Sequence, residues 1–93
     1  MAEPHQDAPS LDDIPATLHG AQRLRERGFT YARYLETKAG EAFTQPDGAT
    51  AYVRRVSRNQ YDVVVEGADG VVTVLASIIR QEVHNLTANY GWK

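Results

Sequence analysis

Three side chains able to move protons or hold a phosphate recur at intervals of four in the stretch Thr17-Leu18-His19-Gly20-Ala21-Gln22-Arg23-Leu24-Arg25-Glu26-Arg27-Gly28. On a helix, His19, Arg23 and Arg27 share one stripe. Cations stacked in this way repel, so the stripe is easiest to understand with an anion over it, phosphate above all. The alternative is a solvated face on which Glu26 partly neutralises Arg23 and Arg27.

Metal-free cleavage of RNA needs a group to take the 2′-hydroxyl proton, cations for the phosphorane and an acid for the leaving oxygen. His19 is the natural acid or base, and the neighbouring guanidiniums favour its neutral form, hence a base. Arg54 and Arg55 lie on opposite faces of one strand, so a regular sheet turns only one of them toward the stripe, leaving the other solvated or on a nucleic-acid backbone. Thr73 shares a strand face with Val71 and Leu75, where its hydroxyl either bonds within the interior or points into a cleft. Tyr90 reads as packing, whereas Trp92 either anchors the chain or stacks on a base. His84 does not form a constellation with Glu82 or Asn85, because neighbours at that spacing diverge on a helix.

Composition narrows the classes. The 93 residues contain no cysteine, which excludes disulfides, thiolate metal sites and cysteine nucleophiles and leaves His5, His19 and His84 as the imidazoles. We expect no metal and no cofactor, since there is no glycine-rich phosphate loop, no nucleophile elbow and no cluster of acids for two-metal chemistry. No apolar run approaches the roughly 20 residues of a membrane span, so no membrane partner is expected. The net charge of −2 hides a polarity: Glu3, Asp7, Asp12 and Asp13 fall in the first 16 residues with no Lys or Arg, whereas residues 17–58 carry eight cations against four anions. That segment suits a polyanion. No signal peptide is evident, and Met1 to about Pro9 has the composition of a linker.

The elements that must position these groups are legible from caps and periodicity. Ser10 precedes a short acidic turn, Leu11 to Ile14, limited by Pro15. Thr17 caps the stripe helix, with Leu18, Ala21 and Leu24 turned away from His19 and Gly28 as its stop; Thr30 caps a second helix to Lys38, with Tyr31, Tyr34 and Leu35 at core spacing and Phe29 between the two helices. From Glu41 the period falls to 2, with turns at Pro46-Asp47-Gly48, Arg58-Asn59 and Ala68-Asp69-Gly70, predicting strands at about 42–45, 49–57, 60–66 and 71–75. On the third strand Tyr61, Val63 and Val65 make a packed face, and Asp62, Val64 and Glu66 a mixed one. A final helix starts near Ser77 and sets Ile79, Val83, Leu86 and Tyr90 in an apolar ridge. The expected class is α+β: two N-terminal helices, a four-stranded antiparallel meander and a C-terminal helix packed on the sheet. Residues 1–16 form an acidic linker or short N-terminal turn, and 17–93 a single compact domain.

The set His19-Gly-Ala-Gln-Arg23-Leu-Arg-Glu-Arg27-Gly28-Phe-Thr30, Tyr61-Asp-Val-Val-Val-Glu66, Val72-Thr73 and Tyr90-Gly-Trp92 resembles C-terminal toxin domains of bacterial polymorphic and contact-dependent inhibition systems. The element order resembles the ribonuclease fold shared by barnase, colicin D and RelE, although several members end on strands rather than on a helix. The resemblance implies a metal-independent ribonuclease acting on tRNA or other RNA, with His19, Arg23, Arg27 and Thr73 as the catalytic group and Arg54, Arg55, Tyr90 and Trp92 contacting substrate. It also implies delivery on the tail of a larger effector, action in the target-cell cytoplasm and a cognate immunity protein as partner. The competing expectation is a non-catalytic binding module, an immunity, antitoxin or regulatory protein using the same cationic helix.

Overall fold

The computed structural model describes residues 9–93; the linker-like stretch through residue 8, with His5, lies outside them. Residues Leu11–Asp13 form one 3-10 turn, in which the Asp13 carboxylate accepts the Ser10 backbone N–H at 2.8 Å. Ile14 is buried. Residues 15–17 then lie along the sheet: Val71 N–H donates to the Pro15 carbonyl at 2.8 Å, and Thr17 N–H donates to the Val71 carbonyl at 2.9 Å.

Helix α1 (Leu18–Glu26) starts where the Thr17 hydroxyl accepts the Gly20 N–H, and Gly28 ends the turn beyond it at φ +69°. Helix α2 (Tyr31–Lys38) is capped by Thr30 through the Arg33 N–H. Strands β1 (Glu41–Thr44), β2 (Thr50–Ser57), β3 (Gln60–Gly67) and β4 (Gly70–Ile79) pair antiparallel in the order β1-β2-β3-β4. Helix α3 (Arg80–Tyr90) closes the fold and stops at Gly91. The class is α+β, a four-stranded antiparallel meander with three helices and the C-terminal one packed on the sheet.

Both faces of the sheet are covered, so β3 differs from its expected half-mixed pattern: Asp62, Val63, Val64 and Val65 are all buried. Val64, Val71 and Val74 pack with Ile14, Leu24, Phe29 and Tyr34 of the first two helices and their connections. Val63 and Val65 pack with Ala49, Ala51, Val53 and Trp92, flanked by Val83 and Leu86 of α3. Each fully buried valine contributes roughly 1.5–3 kcal/mol, so two modest cores sharing one sheet suffice for a chain this small. Four residues expected in apolar faces are instead exposed: Leu18, Leu35, Ile79 and Tyr90, each at half or more of its surface. Leu18 opens α1 beyond the edge of β4, and Ile79 belongs to the end of β4 rather than to the helix.

Strand β4 carries two irregularities that shape everything built on it. Val65 pairs with Thr73 but Glu66 pairs with Val71, which leaves Val72 as an extra residue. The slip turns Val71 into the helical core, so Thr73 and Leu75 no longer share a face with it, contrary to the simple alternation. The second irregularity lies at Ser77, whose φ of +55° is stabilised by its N–H donating to Asp62 Oδ1 at 2.9 Å. Past it, Ile78 and Ile79 still pair with Tyr61 and Gln60. The strand therefore runs through Ser77, and α3 begins three residues later than the sequence pattern suggests.

The Asp62 carboxylate is fully buried and takes a bidentate pair from Arg33, Nε to Oδ2 at 2.6 Å and Nη2 to Oδ1 at 2.7 Å. Burial alone raises its pKa, but the Arg33 bonds and the Ser77 N–H outweigh it, and the net shift is downward. On the same face Glu66 accepts the Tyr34 hydroxyl at 2.8 Å and pairs with Lys38 at 2.8 Å.

Candidate functional site

Helix α1 approaches β4 at Gly20, where a Cβ would collide with the Val71 carbonyl. Only a residue without a side chain allows that crossing. The close approach swings the preceding His19 and the following Arg23 past the sheet edge to the face that α3 covers. There a cavity of about 480 Å³ opens between α1, β4 and α3.

His19 and Arg23 form one wall, Val72, Thr73 and Leu75 of β4 with Val65 form the floor, and Glu82, Leu86 and Tyr90 of α3 form the facing wall. Gln45, Asp47 and Trp92 complete the rim. Half of the polar side chains here are already engaged. Arg23 Nη1 donates to Glu26 Oε1 at 2.6 Å; Asp47 accepts the Ala49 N–H at 2.9 Å and the Gln45 amide at 3.1 Å; Trp92 Nε1 donates to Gln45 Oε1 at 2.8 Å. Among the described residues, no hydrogen bond or ion pair engages the side chain of His19, Thr73 or Glu82. An imidazole, a hydroxyl and a carboxylate are thus left available to a ligand in a cavity whose remaining lining is largely apolar.

The electrostatics are mixed rather than cationic. Glu26 lies 3.5 Å from Arg27 Nη1 as well as 2.6 Å from Arg23, and the Arg23 bond first, then the Gln22 amide, hold the Glu26 carboxyl below its ordinary range. The stripe is therefore partly neutralised from within. That ion pair is solvent-accessible and so weak, and a phosphate offering charge-assisted bonds to Arg23 can displace it. Asp47 is likewise held in its ionised form, chiefly by the Ala49 N–H and then by Gln45.

Of the residues singled out in the sequence, the fold brings His19, Arg23, Thr73, Tyr90 and Trp92 to this cavity. Arg27 does not reach it. Arg54 faces α2, 3.5 Å from Glu36, and Arg55 bonds the carbonyls of Ser57 and Arg58 at the far end of β2; neither meets the stripe, because the stripe crosses at β4, on the other side of β3 from β2. Tyr90 is 55 % exposed and lines the cavity rather than completing a buried ridge, α3 having no buried residue. Trp92 takes the anchoring role: its indole is buried and stacked on Phe43 at 6.1 Å between centroids, while Lys93 exchanges backbone bonds with Thr44.

Sequence reasoning missed Glu82, Asp47 and Gln45. Glu82, Leu86 and Tyr90 follow the same i, i+4, i+8 spacing as the α1 stripe, which is a signal that could have found them. No family model, curated protein or solved structure compared with the chain matches it, so the geometry of the cavity carries the functional argument.

Proposed function

We propose that the chain is a metal-independent ribonuclease domain of the bacterial toxin type, cutting tRNA or other cellular RNA at this cavity. The supporting observation is that His19 and Arg23 of α1 and Thr73 of β4, far apart in sequence, line one cavity with the carboxylate of Glu82, which has no partner among the described residues. Attack of a 2′-hydroxyl on the adjacent phosphorus needs one group to accept the 2′ proton and one to protonate the departing 5′ oxygen, giving a 2′,3′-cyclic phosphate and a free 5′-hydroxyl. A carboxyl group is a stronger acid than an imidazolium, so Glu82 takes the first proton and His19 delivers the second. This reverses the base role expected for His19 from α1 alone. Arg23, released from Glu26, and the Thr73 hydroxyl stabilise the phosphorane oxygens. In this reading an immunity protein is the natural partner, blocking the cavity mouth.

The test is incubation of total bacterial RNA with the protein and with His19→Ala in EDTA, with products resolved on a sequencing gel and their ends probed for cyclic phosphate. Discrete cleavage by the parent chain, lost in the folded variant, is the expected result; intact RNA in both lanes overturns the proposal. A second reading, a non-catalytic binding module, is favoured by the Arg23–Glu26 ion pair, which lowers the free charge on the stripe. It requires intact RNA, together with ligand capture insensitive to His19→Ala.

A further inference from the structure

The chain has ten Lys and Arg residues. Arg23, Arg25, Arg27, Arg33, Lys38 and Arg54 each lie within ion-pair distance of a carboxylate. Among the described residues Arg55, Arg58, Arg80 and Lys93 do not, and the first three converge on one end of the sheet. Arg55 sits directly across from Tyr61 in the β2–β3 ladder, and its Nη2 donates to the Arg58 carbonyl at 2.8 Å. Arg80 reaches the same Tyr61 hydroxyl through Nε and Nη2, both at 3.4 Å. Its backbone N–H donates to Asn59 Oδ1 at 3.3 Å, beside Arg58.

Exposed Arg55 and Arg80 thus lie beside one tyrosine, with exposed Arg58 in the adjoining hairpin turn, and among the described residues no acid pairs with any of the three, while most other cations of the fold have one. Like charges gathered this way repel, and the arrangement is stabilised by an anion spanning them. The cluster stands at the N-terminal end of α3, two residues before Glu82, or roughly 3 Å along the helix axis. A polymer entering the cavity along α3 meets it next.

We infer that Arg55, Arg58 and Arg80 form a docking surface for the phosphodiester backbone of single-stranded RNA, continuous with the cavity. The identity of the polyanion rests on the ribonuclease reading; the surface itself rests on the unpaired cations. Arg55, fixed by two carbonyls, orients the path, and Arg58 and Arg80 supply the further phosphate contacts.

The test uses an uncleavable 2′-O-methyl oligoribonucleotide of about 12 nucleotides, with affinity followed by fluorescence anisotropy between about 50 and 200 mM salt. Each phosphate contact to a single strand contributes about 0.7 to the slope of log affinity against log salt, so Arg58→Gln/Arg80→Gln should weaken binding and lower the slope by about 1.4. Arg58→Lys/Arg80→Lys should restore the slope, which a folding defect would not allow. An unchanged slope in the glutamine variant overturns the inference, as does a parent chain that ignores the oligonucleotide and binds only an acidic polypeptide. Cleavage dependent on His19 with an unchanged slope would leave the ribonuclease reading standing and remove the docking surface. A reduced slope with no cleavage of any RNA would do the reverse.

Discussion

Gly20 of α1 lies against the Val71 carbonyl of β4 so closely that the helix and strand leave no room for a Cβ between them. That contact sets the line on which α1 crosses the sheet edge, and with it the position of His19 and Arg23 on the cavity wall. Gly20→Ala must push α1 outward against Thr17 bonds that tie it to Val71. We expect a loss of at least about 2 kcal/mol in urea-induced unfolding. A variant as stable as the parent would show that α1 is free to shift.

His19 is exposed and has no protein partner among the described residues, so its removal should separate chemistry from stability. His19→Ala and Glu82→Gln should each lower the cleavage rate by about 10²- to 10⁴-fold while changing unfolding free energy by less than about 0.5 kcal/mol. Cleavage at parental rates in either variant would remove that residue from the proton-transfer pair.

Acid sensitivity should centre on Asp62. Its carboxyl lies below its ordinary value in the folded chain, so the stability it confers is complete above the unfolded-state value of about 3.9 and is lost as pH falls through the lower folded value. Asp62→Ala leaves Arg33 without its partner and should cost about 3 kcal/mol near neutrality. Stability against pH, followed by circular dichroism, should show a shallower acid limb in the variant. An acid limb of parental steepness would assign it to other carboxylates.

Trp92 is the one tryptophan of the chain. Trp92→Phe keeps an aromatic ring over Phe43 but loses the bond to Gln45, and should cost about 0.5–1.5 kcal/mol. Trp92→Ala should cost about 3–5 kcal/mol. Equal, small losses in both, measured by thermal unfolding, would mean that the indole does not anchor the second core.

What the sequence made legible was local. Thr17 and Thr30 cap the helices they precede, and the Asp47-Gly48, Asn59 and Asp69-Gly70 turns fall between the expected strands, because a cap or hairpin is decided by a few adjacent residues. The two slips in β4 were not legible, since Ser77 adopts its conformation for a bond to Asp62 fifteen residues away. A longer separation, 29 residues, hid the burial of Asp62, which alternation assigns to a mixed face and which Arg33 makes tolerable. At the cavity, the α1 groups and Thr73 were visible as chemistry. Glu82 was not, because nothing local says that α3 lies opposite α1.

The two walls of the cavity are made at different times. Synthesis runs from the N-terminus, so the imidazole and guanidinium of α1 emerge well before Glu82 and Tyr90 of α3, which follow directly on the β4 floor. Until α3 has left the ribosome and docked, the cavity lacks its carboxylate side. The order of elements thus delays completion of the site until the last helix is in place, and a nascent chain carries His19 without the group that would work beside it.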